Sequence, residues 1–149
     1  MMNQKKLMKA AVIAAIYVVL SVVFQPISYG VIQFRIAEAL TVLPILYAES
    51  VWGLFVGCLL ANMIGGAGVM DVVFGSLATL AAAWLTRRFK DSKAAYVFPV
   101  IINAVVVGAY LAYLFAMPYW SVFGSVFIGE AVVIGTLGVI LIKAAQRIQ

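Results

Sequence analysis

The chain has 149 residues, 66% of them hydrophobic and 10% charged, with ten Lys and Arg against five Asp and Glu. That is the composition of a membrane protein, and a single domain of this length spent on crossings leaves no soluble catalytic domain. The sequence has no His and only one cysteine, Cys58, which argues against a metal site, a disulfide framework and most acid–base enzymes. The net charge of +5 sits at the edges of apolar runs, at Lys5, Lys6, Lys9, then Arg87, Arg88, Lys90, Lys93, then Lys143 and Arg147. That is the positive-inside pattern of a lipid-embedded chain and excludes nucleic acid as a partner.

Residues 7–24 form the first apolar run. Ser28-Tyr29-Gly30 resembles a signal-peptide cleavage site, but the run is read as a retained first helix that Gln25-Pro26 ends. The stretch 34–64 is too long for one crossing, since about 20 residues span ~30 Å of hydrocarbon. Pro44 and Tyr47-Ala48-Glu49-Ser50 divide it into spans 34–47 and 51–64. Gly65-Gly66-Ala67-Gly68 lacks the Lys-Ser/Thr of a phosphate loop and reads as a turn, so any ATP-driven step needs another chain. Residues 69–86 are a fourth span, 94–116 a fifth despite Pro99, and 122–142 a sixth.

The basic N-terminus and the Arg87 loop share a side only if an even number of spans separates them, and four does. Two more bring the basic C-terminus back. The expected fold is therefore an all-α integral membrane protein, a compact bundle of six transmembrane helices in one domain, 1–149, with both termini cytoplasmic.

Small residues at four-residue spacing let helices approach closely in lipid. Gly53, Gly57 and Ala61, and likewise Gly75, Thr79 and Ala83, read as internal packing. Ala10, Ala11, Ala14 and Ala15 form a face on the first helix that either packs internally or receives a partner helix. Cys58 reads as a small packing residue.

An ionisable side chain in hydrocarbon costs roughly 2.5–3.5 kcal/mol on insertion scales and faces a bundle interior, a cavity or a partner. The topology gathers Arg35, Glu38, Asn62, Asp71, Asn103 and Glu130 in the outer half or at the midplane, drawn from five helices. A solute pocket opening outward accounts for that gathering. Arg35 and Glu38, three apart, are read as a pair on one helix face, Asp71 as a ligand residue or a helix cap, and Glu130 as the deepest acid and the strongest ligand candidate. Glu49 and Asp91, at the cytoplasmic edge, read as solvated. Phe34 and Trp120 are aromatics at the level of the pocket, able to stack a planar ligand or to sit in an interfacial belt.

Phe34-Arg35-Ile36-Ala37-Glu38-Ala39-Leu40-Thr41-Val42-Leu43-Pro44 resembles the signature segment of the QueT family, as does Gly53-Leu54-Phe55-Val56-Gly57-Cys58-Leu59-Leu60-Ala61-Asn62 with the turn that follows. The resemblance runs over essentially the whole chain. It implies a substrate-binding S component of an energy-coupling factor (ECF) transporter in the bacterial plasma membrane, a non-enzyme without a cofactor. Its solute would be a queuosine precursor, a 7-deazaguanine such as queuine, preQ1 or preQ0. Its partners would be an ECF T component, met through the face of Ala10, Ala11, Ala14 and Ala15, and two ATPase subunits. A carboxylate such as Glu130 suits the adjacent N–H donors of a deazaguanine edge. Other readings are an S component for another vitamin or nucleobase, or a stand-alone proton-coupled carrier using Glu38 and Glu130.

Overall fold

The computed structural model describes residues 2–29, 33–66 and 68–148. Gly30 of the cleavage-like triplet and Ala67 of the glycine turn lie outside them.

Helix α1, Gln4–Val23, begins at Asn3, whose side chain accepts from the Lys6 amide at 3.0 Å. The short helix α2, Gln25–Ser28, follows, with its proline in the first turn where the missing N–H costs nothing. Helix α3 is Ser50–Gly65 and ends at Gly66, whose φ of 63° is the left-handed cap conformation. A π-helical turn, Asp71–Gly75, leads into α4, Ser76–Arg88. Helix α5 is Ala94–Leu114. Helix α6, Tyr119–Val133, runs through a second π turn, Ile134–Gly138, into α7, Val139–Ile148.

Three helical stretches are long and apolar enough to cross a membrane: Gln4–Val23, Ala94–Leu114 and Tyr119–Ile148. Span 51–64 is shorter than a full crossing, as the sequence implies. Span 34–47 differs from expectation. It is a ten-residue 3-10 helix, Ile36–Ile45, not an α-helix, and it is buried from Ala37 through Pro44. At ~2.0 Å per residue it is about 20 Å long. It lies inside the bundle, in contact with α1, α3, α4, α5, α6 and α7. Its C-terminal carbonyls are held by Arg87, whose Nη1 donates to Pro44 O at 3.1 Å and Ile45 O at 3.4 Å.

The tightest helix contact is between α1 and α3. A Cβ built on Gly53 would lie 2.5 Å from the Ala10 carbonyl oxygen, and one on Gly57 would lie 2.9 Å from Tyr17 Cβ. Only glycine allows the backbones this close. Val19, Met63, Trp84, Ile128 and Ile140 are exposed on the outside, while Arg35, Glu38, Asn62, Asp71, Asn103 and Glu130 are buried. Apolar outside and ionisable inside is the distribution a bilayer imposes.

Candidate functional site

The extended residues Gln33–Arg35 bring the chain into the bundle. The Phe34 amide donates to Ile27 O at 2.8 Å, and the Gln33 carbonyl oxygen would be 2.1 Å from a Cβ on Gly129, so α6 needs a glycine where this strand passes. Arg35 precedes the 3-10 helix with φ −81° and ψ 90°. Its side chain therefore does not share a helix face with Glu38, and the expected Arg35–Glu38 pair is not formed. Each residue has its own partners.

Arg35 Nη2 donates to Asn62 Oδ1 at 2.7 Å and approaches Cys58 Sγ at 3.8 Å. Asn62 Nδ2 donates to the Asp71 backbone oxygen at 2.8 Å and reaches Cys58 Sγ at 3.5 Å. Thr79 Oγ1 donates to the same sulfur at 3.3 Å, so Cys58 is a polar acceptor as well as a packing residue. Asp71 does not cap a helix through its side chain. Its Oδ1 accepts from the Tyr110 hydroxyl on α5. Gly75 leaves room for this group: a Cβ there would sit 3.0 Å from Asp71 Oδ1, 3.1 Å from Asn62 Nδ2 and 3.2 Å from the Tyr110 oxygen.

Glu38 lies on the opposite side of Arg35 in the network. Its Oε1 accepts from the Tyr17 hydroxyl on α1, and its Oε2 accepts from Asn103 Nδ2 on α5 at 3.2 Å. Thr41 Oγ1 ties the Glu38 carbonyl at 2.6 Å, which fixes the turn carrying the acid. Glu130 on α6 lies beside Glu38 and Asn103 and within electrostatic reach of Arg35. Among the described residues three buried side-chain polar atoms have no protein partner: Arg35 Nε, Ser76 Oγ and Glu130 Oε2. Ser76 is one turn before Thr79 on the inward face of α4. The centre thus offers an N–H donor and a carboxylate oxygen that the fold itself does not satisfy. Buried groups of this kind are costly unless something meets them.

Tyr29 covers the Arg35 end of the network. Its hydroxyl donates to Ala61 O at 2.9 Å, and its ring lies 5.5 Å from the Arg35 guanidinium. Burial pushes the Tyr29 phenol above its ordinary pKa, so it acts as a neutral donor.

Six sequence candidates, Arg35, Glu38, Asn62, Asp71, Asn103 and Glu130, are brought together. Trp120 is not among them. It is 75% exposed and stands edge-on to Tyr119 and Phe123 in an aromatic belt. Phe34 is turned outward at 36% exposure. The aromatics that do reach the centre are Tyr17 and Tyr110, which sequence reasoning did not single out for their hydroxyls. Glu49, expected to be solvated, is buried and paired with Lys9 at 3.7 Å. Among the described residues no group of His, Cys, Asp and Glu could hold a metal ion.

The alanine face is divided. Ala10 and Ala14 are buried against Gly53 and Gly57, while Ala11 and Ala15 are exposed. Beside them runs an apolar groove of about 350 Å³ between α1 and α3, walled by Leu7, Trp52 and Val56.

An all-helical bundle, apolar outside and polar at its centre, defines a membrane protein suited to handling a polar solute. The chain belongs to the QueT transporter family, which it matches over residues 7–147. It is similar to a Lactococcus lactis subsp. cremoris protein named queuosine precursor transporter QueT, 27% identical over 154 residues that cover 93% of this chain and 90% of the relative. No solved structure matches the chain.

Proposed function

We propose that this protein is the substrate-binding S component of an ECF importer for a queuosine precursor, embedded in the bacterial plasma membrane with six crossings and both termini cytoplasmic. The observation that carries the site is the pair of unpartnered buried atoms in the polar network, Arg35 Nε and Glu130 Oε2. The substrate class comes from the name of the Lactococcus relative. A 7-deazaguanine has N–H donors for the Glu130 carboxylate and ring acceptors for a guanidinium N–H.

In this reading Glu130 and Arg35 bind the base directly. Glu38 and Asn103 border it, and Asn62 and Asp71 hold Arg35 in place. Solute enters from the outer side past Tyr29. The exposed Ala11–Ala15 edge and the neighbouring groove receive a helix of the T component, and two ATPase subunits supply the energy.

Two measurements test the reading. The purified chain should bind deazaguanines, and Glu130→Gln should weaken that binding; full affinity in Glu130→Gln removes Glu130 from the site. Affinity purification from the native membrane should recover a T component and two ATPases, with uptake lost on ATP depletion. Uptake by the chain alone, driven by a proton gradient, would instead make it a secondary carrier.

A further inference from the structure

The basic end of α1 carries its charge at a cost to the helix. Lys5 and Lys9 stand four residues apart on one face, Lys6 follows Lys5, and the first turn holds no acid. Like charges at that spacing repel, and cations oppose the partial positive charge of a helix N-terminus. Lys9 is partly compensated: its Nζ is 3.7 Å from Glu49 and 4.8 Å from the centre of the Tyr47 ring. Lys5 is exposed and has no acidic partner among the described residues.

Both lysines stand at the rim of a groove of about 490 Å³ between α1 and the end of the 3-10 helix. Met8 and Val12 form one wall, and Leu43 and Tyr47 form the other. From Lys5 to Ile13, α1 rises about 12 Å, and all that lies below the lysines is apolar. Met8 and Val12 are 67% and 57% exposed, so the described chain leaves this wall uncovered. The groove shares no lining residue with the one between α1 and α3.

Lys5, Lys9 and Glu49 together leave one positive charge at the rim. A phosphodiester carries one negative charge, and an acyl chain suits the apolar depth beneath it. Basic pockets between helices at a membrane edge take anionic lipid head groups. A zwitterionic lipid brings its own ammonium to the same rim and loses that balance.

We infer that this groove is a binding site for an anionic phospholipid. Its phosphate sits between Lys5 and Lys9, offsetting their repulsion, and one acyl chain lies along Met8, Val12 and Leu43. The lipid then bridges α1 to the 3-10 helix.

The test is native mass spectrometry of the purified full chain, released from micelles that hold equal amounts of phosphatidylglycerol and phosphatidylcholine. The chain should retain phosphatidylglycerol in about fivefold preference, the worth of one lysine near an anionic head group. Lys5→Gln, which breaks no contact within the described fold, should bring the two lipids near parity. Val12→Trp, which fills the groove and keeps every charge, should lower lipid retention. Lys143→Gln, at the other basic edge, should change neither. Equal retention of the two lipids by the unaltered chain overturns the inference, and so does a preference that survives Lys5→Gln. A preference that falls as far in Lys143→Gln reports net charge alone and overturns it too. Full retention in Val12→Trp has the same force, because the phosphate would then bind without the groove.

Discussion

The hydroxyl of Tyr17 on α1 donates to Oε1 of Glu38 on the 3-10 helix, and both residues are fully buried. The same α1 turns Ala11 and Ala15 outward two to six residues earlier. One helix therefore positions an acid at the polar centre and offers a small-residue edge to its surroundings.

Tyr17→Phe removes that donor and keeps the ring and the Cβ that lies against Gly57. A buried carboxylate that loses a hydrogen bond costs about 1–3 kcal/mol. The variant should unfold earlier in detergent by that amount. On the proposed function it should also bind solute more weakly, because Glu38 would then be held by Asn103 alone. Unchanged stability and unchanged affinity together would show that the hydroxyl contributes nothing to either.

The α1–α3 contact predicts opposite outcomes for two glycines. Gly53→Val places side-chain atoms into the Ala10 carbonyl and should cost ~1–3 kcal/mol through overpacking. Gly124 on α6 has nothing within 4 Å of a built Cβ. Gly124→Ala should be neutral or gain up to ~1 kcal/mol from the reduced freedom of the unfolded chain. Thermal unfolding of both variants in the same detergent makes the comparison.

Much of the fold is legible in the sequence because long apolar runs bounded by charge have one physical meaning in a membrane. The runs at α1, α5 and α6 are of this kind, and Gly66 marks the end of α3. The 3-10 helix is not legible: changing the hydrogen-bond register from i+4 to i+3 leaves hydropathy unaltered. That is also why the spacing suggests an Arg35–Glu38 pair that the fold does not form. A spacing of three puts side chains together only when both residues are inside a helix, and Arg35 is one residue before it begins.

The polar centre is legible because ionisable groups in an apolar chain are conspicuous. Tyr17 is not legible as a site residue because a phenol in an apolar run reads as packing, and Tyr110 reads from sequence as an aromatic at pocket level able to stack a ligand, not as the hydrogen-bond donor to Asp71 that it is. A usable signal existed for Tyr17, which repeats the inward face of Ile13 and Ala14 one turn on. For Trp120 the sequence leaves a stacking role and an interfacial belt both open, because it gives depth along a helix more readily than the direction a side chain faces around it, and the fold has Trp120 in the belt.

Asp71 and Tyr110 link the first π turn to α5. A double-mutant cycle with Asp71→Asn and Tyr110→Phe should return a coupling energy of about 0.5–3 kcal/mol, as for residues in one buried network. Additive effects would mean that Asp71 is held by its backbone link to Asn62 and not by the phenol.

Arg87 and Arg88 are neighbours in sequence with different duties. Arg87 holds two carbonyls at the end of the 3-10 helix, while Arg88 is exposed. Arg87→Met should cost about 1–3 kcal/mol, the range for hydrogen bonds to a charged donor and for carbonyls left unmet. Arg88→Met should stay within ~0.5 kcal/mol, as surface substitutions do. Equal losses would move the role of Arg87 from the 3-10 helix to the general basic surface of that loop.

The divided alanine face separates folding from assembly. Ala10 and Ala14 touch α3, so Ala10→Leu must push α1 off the Gly53 backbone and should lower stability by about 1–3 kcal/mol. Ala15 is exposed, and its Cβ meets no such constraint from within the chain. Ala15→Trp should leave folding and solute binding intact, because the bulky ring projects away from the Tyr17 side of the helix. If a partner helix uses this edge, the same ring prevents close approach, and co-purification of the T component and transport should both fall sharply. Ala15→Trp with full assembly and full uptake would place the partner contact on another surface and leave the alanine spacing to the α1–α3 contact alone.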